Sequence, residues 1–194
     1  MASEAFIRFT FDEKYKNRRN AKPYKLAPHL FIPDHYKFII WHDVSHELIF
    51  DPESLVKDYL SGGQDFSLFQ HTQRKCLYQE AIELKKLRYD TDENIDRQIS
   101  YYRSEGMPEN NGLYELSAFV RANNPKTKAM GLAWMEQISR FSSRDQLSFN
   151  FLLWKFKAFF SILPGHCNGH NSKGGIGNNE FLPQVRQHVS SGPT

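Results

Sequence analysis

The sequence predicts a single α/β domain, because strand-like and helix-like segments alternate along a chain long enough for one core. The chain has 194 residues, of which 40% are hydrophobic, and chains of this size usually bury one sizeable core. The alternation favours a mixed, mostly parallel sheet flanked by helices. Because the composition shifts after Pro164, we expect a domain over 1–164 and a Gly/His-rich C-terminal loop and tail over 165–194.

Two strands separated by a basic connector are predicted near the N-terminus. Ala5 to Phe11 alternates as a strand does, and a basic connector follows from Lys14 to Lys25. Leu26 to Phe31 predicts a short helix or turn. The apolar run Tyr36 to Trp41 predicts a buried central strand with Asp43 at its carboxyl end. Ligands of open α/β sheets bind at that end of the strands.

The later elements follow from apolar spacing, capping residues and glycine or proline breaks. Helices are predicted where apolar side chains recur every three or four positions, and strands where shorter apolar runs are bounded by turn residues. In chain order these are a helix over 52–60, a strand over 65–69, a helix over 74–87, a helix capped at Thr91 or Asp92 and ended by Gly106, a strand over 113–120 and a helix over 126–138.

The segment from Ile138 to Phe149 is the strongest candidate for a functional site. Ser143 and Gln146 have the spacing of a capping box, so Arg144 and Asp145 would lie in the first turn of the following helix. A polar cluster on a rigid first turn suits substrate binding. A capped helix with a local ion pair explains the same residues without any ligand. The apolar positions that would hold this turn against the core are Leu147, Phe151, Trp154 and Ala158.

The net charge of +3 is too small for a dedicated nucleic-acid-binding protein, but a local basic patch could still receive an anion. The segment from Lys14 to Lys25 contains such a patch, interleaved with Tyr15 and Tyr24. Its basic side chains could neutralise a diphosphate and its tyrosines could stack on a base. A solvated loop is the simpler interpretation of the same segment.

Compartment and membrane contact are predicted from cysteines and apolar runs. Cys76 and Cys167 are the only cysteines, which suits a reducing compartment. The N-terminus lacks the apolar stretch of a signal peptide, so we expect a cytoplasmic protein. The apolar run from Phe149 to Leu163 contains two lysines and favours a core helix over a membrane span. Peripheral contact with the cytoplasmic face of a membrane stays open as an alternative.

Asp43 is also a candidate metal ligand, because histidine and serine side chains bracket it. Such a density of oxygen and nitrogen donors suits a divalent cation, although a strand-end aspartate can simply cap the next turn. His166 and His170 lie in the Gly-rich C-terminal loop and could close over a metal or a phosphate. Loop histidines are more often exposed to solvent. The spacing of these residues matches no zinc finger.

Four segments resemble a family of glycosyltransferase-like proteins of bacteria and plants, which includes the mucilage-related hexosyltransferase-like group. The resemblance runs from about Phe6 to Trp154, and the last segment is the most specific. It implies a GT-A type fold that moves a sugar from a nucleotide diphosphate sugar, first of all a UDP-sugar, to an acceptor hydroxyl in polysaccharide or glycan synthesis. The four segments are Tyr24 to His29, Ile40 to Asp43, His71 to Glu80 and Arg144 to Phe149.

The resemblance also implies a divalent cation, Mn²⁺ or Mg²⁺, that would act as a Lewis acid on the departing diphosphate. It maps the metal role of a D-x-D motif onto Asp43, with Ser45 in place of the second acid, so His166 and His170 would complete the set. The family usually opens with a strand and a Gly-containing turn that seat the nucleotide. We expect that this chain begins after that strand.

The resemblance also implies residues for catalysis, for binding of the nucleotide donor and for binding of the substrate. Asp145 would act near the reacting sugar carbon as base, acceptor contact or stabiliser of positive charge. The main alternative for the whole domain is a non-catalytic module that binds a sugar or a sugar nucleotide. The implied sites are Asp145, Arg144 and Gln146 for catalysis, Lys25, Arg19 and Tyr24 for the nucleotide donor, and His71, Arg74 and Arg140 for the substrate.

Overall fold

The computed structural model describes residues 18–43, 46–48, 51–165 and 181–183. The predicted strand over Ala5 to Phe11 lies outside them. In chain order, the elements are α1 (Arg18–Leu26), a 3₁₀ turn (Pro28–Leu30), β1 (Phe38–His42), β2 (His46–Leu48), α2 (Pro52–Leu60), β3 (Phe66–Gln70), α3 (Leu77–Lys86), α4 (Asp92–Ser104), β4 (Tyr114–Ala122), α5 (Pro125–Arg140), α6 (Asp145–Lys155), β5 (Phe160–Leu163) and β6 (Phe181–Pro183).

A four-stranded mixed sheet in the order β1-β4-β3-β5 forms the centre of the fold. The single α/β domain with a mixed sheet and flanking helices is confirmed, but the expectation of mostly parallel strands is wrong. β4 pairs antiparallel with both β1 and β3, and only β3 and β5 are parallel. The reason is the route of the chain between β3 and β4, which passes through α3 and α4 and returns at the end where β3 stopped. There the His71 amide donates to the Leu113 carbonyl at 2.9 Å.

The ladder between β3 and β4 contains an irregularity that matters for the site. Leu68 pairs with Phe119, whereas the next residue, Phe69, pairs with Glu115. The intervening residues 116–118 of β4 are therefore unmatched on the β3 side. Such a bulge disrupts the ladder locally and bends the strand.

The strand after the basic segment is an edge strand and not the central one that its apolar run predicts. β1 pairs with β4 alone in the four-stranded sheet, and Phe38 is 40% exposed. An apolar run identifies a strand but not its neighbours. β3 and β4 occupy the centre, where Phe66 and Phe119 are buried.

The structure also differs from the predicted secondary structure in the basic connector and in the apolar run near the end of the domain. The part of the basic connector from Arg18 onward is helix α1, which continues through Pro23. The apolar run from Phe149 to Leu163 does not continue as one helix, because α6 ends at Lys155 and the chain returns as β5 beside β3. A further short strand, β6, lies within the predicted tail and pairs antiparallel with β2. The division at residue 164 stays a prediction.

Helices cover both faces of the sheet. α3 to α6 bury an aromatic cluster against one face, in which Phe66 meets Phe149 edge-on at 5.3 Å between ring centroids. Leu55 and Leu60 of α2 pack on the opposite face with Val120 and Leu163. This core holds the first turn of α6 in place, as the sequence predicts.

A buried arginine attaches α1 to α5 and thereby positions the lysines of α1. Arg121 of β4 donates to the carbonyls of Leu26 at 2.9 Å and Thr127 at 2.5 Å, and burial lowers its pKa to about 10. Gly131 of α5 lies directly against α1, since a Cβ there would stand 2.5 Å from the Leu26 carbonyl oxygen. Only glycine permits this approach.

Candidate functional site

A polar cleft of about 520 Å³ lies where α1, the end of β1, the start of β4 and the first turn of α6 meet. Seven of the residues predicted from the sequence line it together, although the sequence separates them by more than 100 positions. They are Lys25, Asp43, His71, Arg74, Arg144, Asp145 and Gln146.

One buried carboxylate bridges two lysines at the bottom of this cleft. Asp145 Oδ2 lies 2.7 Å from Lys22 Nζ and 2.8 Å from Lys25 Nζ, and Asp145 is 8% exposed. Burial alone would raise the pKa of Asp145, but the two ammonium groups outweigh it and hold that pKa well below its usual range. Burial also lowers the pKa of Lys22, and the charge of Lys25 adds to this effect against the opposing attraction of Asp145.

Asp43 follows β1 as predicted and is the more accessible carboxylate. Its side chain is 44% exposed, and Oδ1 lies 3.9 Å from Lys25 Nζ. The same oxygen accepts a hydrogen bond of 2.9 Å from the Trp41 indole, and the Asp43 amide donates to the Ser117 carbonyl at 2.7 Å. Lys25 therefore stands between Asp43 and Asp145, with its ammonium 5.6 Å from the centre of the Trp41 ring.

The turn before α6 has a different anchor from the predicted capping box. Arg144, not Ser143, is the N-cap residue, and no side chain caps the helix. Asp90 holds the turn from outside the segment, accepting from the Ser142 hydroxyl at 2.8 Å and the Ser143 amide at 3.1 Å. Gln146 instead donates from Nε2 to the Tyr114 carbonyl at 3.0 Å, which ties α6 to β4.

Arg144 presents its guanidinium to the cleft while packing on an aromatic ring. Its Cζ lies 4.4 Å from the centre of the Tyr89 ring. Its Nε is buried and has no hydrogen-bond partner among the described residues, and none of the ion pairs found within that part of the chain involves Arg144. An unsatisfied N–H of this kind costs about 1–3 kcal/mol, so a ligand or water acceptor is favoured at this position.

The opposite wall consists of His71, Arg74 and buried acids. Arg74 Nε donates to Glu80 Oε2 at 2.5 Å, and the backbone amides of Gln73 and Arg74 both donate to His71 Nδ1 at 3.1 Å. The other ring nitrogen, Nε2, lies 3.2 Å from Nη2 of Arg74, so N–H donors face both ring nitrogens. Burial, and then the charge of Arg74, lower the pKa of His71, so the ring is neutral near pH 7.

Five predicted residues are not brought to the cleft. Tyr24 packs against Phe31 at 4.4 Å between ring centroids. Arg140 lies at the end of α5, where it pairs with Glu136 at 3.0 Å and packs on Tyr101 and Phe141. Arg19 belongs to α1, where the structure describes its backbone alone. His166 and His170 lie outside the described residues.

Sequence reasoning missed three contributors to the cleft, namely Trp41, Tyr89 and Glu115. Tyr89 follows α3 in a turn, and no periodic pattern marks such a residue. Glu115 is buried in β4 next to the bulge. The partnership of Lys22 with Lys25 could have been found, because residues three apart lie on the same face of a helix.

The predicted divalent-metal site is not completed by the residues that the structure describes. Within 18–43, 46–48, 51–165 and 181–183, no three His, Cys, Asp or Glu side chains are grouped closely enough to hold a metal ion. Asp43 already accepts from Trp41 and faces Lys25. The described donors therefore do not fit a cation site by themselves.

In the same part of the chain, no helix is long and apolar enough to cross a membrane.

Comparison with known proteins shows the family to which the chain belongs. The model of the TOD1/MUCI70 glycosyltransferase-like domain matches residues 9–165. The chain is also 28% identical over 142 residues to the probable hexosyltransferase MUCI70 of Arabidopsis thaliana, a match that covers 69% of this chain and 24% of that relative. No solved structure matches the chain significantly. Because the family model covers most of the sequence, from before α1 to the end of β5, the chain belongs to the TOD1/MUCI70 glycosyltransferase-like domain family.

Proposed function

We propose that this domain transfers a sugar from a nucleoside diphosphate sugar to an acceptor hydroxyl, in the synthesis of a polysaccharide or other glycan. The observation that carries the proposal is the cation cluster at the bottom of the cleft, where Lys22 and Lys25 share Asp145 beside Arg144. A diphosphate leaving group needs such positive charge, and protein groups fixed in place stabilise it without reorganising. The family membership and the hexosyltransferase relative agree with this chemistry.

Arg144 is the cation best placed to contact the diphosphate directly. Lys22, Lys25 and Arg74 each have a carboxylate partner within 2.8 Å, whereas Arg144 has no ion pair among the described residues. A guanidinium can bind phosphate through two parallel hydrogen bonds. Asp145 and Asp43 together balance the charge of the two lysines, so Arg144 supplies the positive charge that has no carboxylate partner among the described residues. We take UDP-sugars as the first donors to test.

Asp145 positions the lysines and stabilises positive charge, and it does not act as the general base. A base works best when its pKa is near the working pH, whereas Lys25 and Lys22 hold the pKa of Asp145 well below its usual range in spite of burial. Its permanent negative charge instead suits the positive charge that develops on the sugar ring.

The acceptor is expected on the wall formed by His71 and the Arg74–Glu80 pair. The Arg74 guanidinium supplies N–H donors on this wall, and Glu80 and Glu115 are buried acceptors beside it. Such a set of fixed donors and acceptors suits sugar hydroxyls. No step is assigned to a metal ion, since the described donors do not form a site for one.

The proposal is tested with Arg144→Gln and the matched variant Arg103→Gln. Arg103 is an exposed arginine of α4 that pairs with Glu109 away from the cleft. We expect UDP affinity, measured by calorimetry, to fall by roughly tenfold or more in Arg144→Gln, the effect of one lost charged hydrogen bond, and to stay unchanged in Arg103→Gln. Equal affinities in all three proteins would contradict the placement of the donor.

Turnover separates an enzyme from a binding module. A panel of nucleotide sugars is incubated with the wild-type protein, and released nucleoside diphosphate is measured. Release that depends on Asp145 supports the transferase. A protein that binds UDP-sugars tightly and releases no nucleotide from any of them, with water or with glycan acceptors present, would instead be a non-catalytic sugar-nucleotide binding module.

A further inference from the structure

A second cleft of about 360 Å³ lies at the C-terminal end of α6, beside the start of β4, and is unlike the charged one. Three aromatic rings and Leu153 form its walls, and the side chains of Asn111 and Lys157 stand at its rim. The aromatic residues are Tyr114, Trp154 and Phe160. Tyr114 lines this cleft, whereas the next residue of β4, Glu115, lines the charged one, and no residue lines both. The two clefts are therefore separate sites.

The rings of this cleft are fixed in place and only partly covered. Tyr114 meets Phe160 edge-on, with 4.9 Å between ring centroids, and Trp154 packs on Phe151 at 5.8 Å. Tyr114 lies against Gly112, where a Cβ would stand 2.6 Å from its hydroxyl oxygen. Gly112 also has a φ of 84°, which favours glycine. Tyr114 and Trp154 nevertheless remain half-buried, so their rings are available to a ligand.

Polar groups without partners surround these rings. In the part of the chain that the structure describes, the Tyr114 hydroxyl and the Trp154 indole N–H form no hydrogen bond, and the Lys157 ammonium has no acidic partner. Lys157 and Asn111 are exposed at the rim. An aromatic floor with donors at its edge matches a sugar ring, which presents an apolar C–H face and a rim of hydroxyls. A purely apolar partner would leave those donors unpaired at a cost.

We propose that this aromatic cleft binds the glycan acceptor at a site away from the reaction centre. The inference rests on the proposed function for the identity of its ligand. α6 borders both clefts, with Gln146 in its first turn and Trp154 in its last. Eight residues of helix separate them by about 12 Å along the axis. A polymeric acceptor held at Trp154 is thus kept close to the charged cleft between transfers.

Calorimetry with linear oligosaccharides tests the proposal directly. The probes are mono- and hexasaccharides of β-1,4-linked glucose, mannose and xylose. We expect the wild-type protein to bind the hexasaccharide of at least one series, and Trp154→Ala to bind it about tenfold more weakly, the effect of losing one aromatic stack. Asn111→Ala, at an exposed position, should weaken binding less. Phe38→Ala removes an exposed aromatic from the far edge strand and should change nothing.

Measuring UDP affinity as well as glycan affinity distinguishes this site from the donor site. UDP affinity should be the same in wild type, Trp154→Ala and Asn111→Ala, which also shows that the variants are folded. Absence of binding in all three series, or unchanged binding in both variants, would overturn the glycan site. Glycan binding that depends on Trp154 in a protein that never releases nucleotide would uphold the site and refute the transferase.

Discussion

Asp145 is the residue that connects the two lysines of the cleft, because its buried carboxylate forms ion pairs with both ammonium groups. The sequence singled it out through a capping pattern that the structure does not contain. What made the residue recognisable was the unusual density of polar side chains at a helix start. Its partners could not be found from spacing, because they lie on α1, 120 positions earlier in the chain.

Asp145→Asn should lower donor hydrolysis or transfer by roughly a hundredfold or more, because it removes the negative charge that positions Lys22 and Lys25 and stabilises the sugar cation. The structure also predicts a loss of stability, since the buried Lys25 and the half-buried Lys22 would lose their shared counter-charge. Urea unfolding and activity are measured on the same preparation. Activity that merely follows the folded fraction would show that the carboxylate has only a structural role.

The stability of the domain should depend on Asp145 at acidic pH. Its carboxyl has a folded-state pKa well below the ordinary 3.8, so its contribution is complete above about pH 4 and is lost as the pH falls through the folded pKa. Below about pH 4, the wild-type unfolding free energy should drop more steeply than that of Asp145→Asn, by up to about 1.4 kcal/mol per pH unit. Parallel curves for the two proteins would contradict the lysine-stabilised carboxylate.

Lys25→Ala should weaken UDP binding by about 1.5–3 kcal/mol, the range for hydrogen bonds to charged groups. Lys25 is buried next to Asp43 and Asp145. The control is Lys57→Ala, since Lys57 is exposed on α2, which packs on the opposite face of the sheet. Equal small losses in the two variants would mean that a diffuse positive field, and not Lys25, attracts the nucleotide. Circular dichroism confirms that each variant is folded.

At the level of elements, the sequence predicted those whose signals are local. α2 and α4 begin where Pro52 and the Thr91 cap indicate. α1 was missed because its sequence was interpreted as a basic connector, and the contact that holds its Leu26 carbonyl comes from Arg121, 95 positions away. β5 was missed because an apolar run does not distinguish strand from helix. The chain leaves the helical conformation at Lys157, which has a φ of 47°. Glycine usually marks such a positive φ in a sequence, and a lysine gives no such signal.

The close approach of α1 to α5 predicts the effect of Gly131→Ala. The added Cβ would meet the Leu26 carbonyl oxygen at 2.5 Å, so α1 must shift, at a cost of about 1–3 kcal/mol in stability. Because α1 carries Lys22 and Lys25, UDP affinity should fall as well, although residue 131 lies outside the cleft. Leu132→Ala, an exposed neighbour on the same helix, should leave UDP affinity unchanged. Normal UDP affinity in Gly131→Ala would refute this coupling.

At the level of the whole molecule, the alternation of strands and helices predicted the α/β class and the resemblance indicated many residues of the cleft, but neither predicted how the strands pair. Local sequence carries little information on which strands become neighbours, so β1 was placed at the centre of the sheet. The cleft was foreseen in part because its residues carry unusual chemistry. Arg140 shows the limit of that reasoning, since it shares the segment but packs on the far side of α5.

The metal ion expected from the resemblance stays a prediction, and Asp43 is the residue that tests it. If Mn²⁺ bridges the nucleotide to Asp43, UDP affinity should rise when Mn²⁺ is added to the wild-type protein but not when it is added to Asp43→Ala. Calorimetry in Mn²⁺ and in chelator makes the comparison. The same UDP affinity in both buffers would show that Lys22, Lys25 and Arg144 neutralise the diphosphate without a cation.

The bulge between β3 and β4 makes one strand the shared wall of two different ligand sites. Glu115 faces the charged cleft and Tyr114 the aromatic one, and the irregularity after Leu68 sets which of them faces which side. A slip of one residue would exchange every side chain between the faces. It would place a carboxylate among the aromatic rings and a tyrosine beside the lysines. Both sites would therefore be lost together if one residue were inserted or deleted at 116–118, although the rest of the sheet could still form.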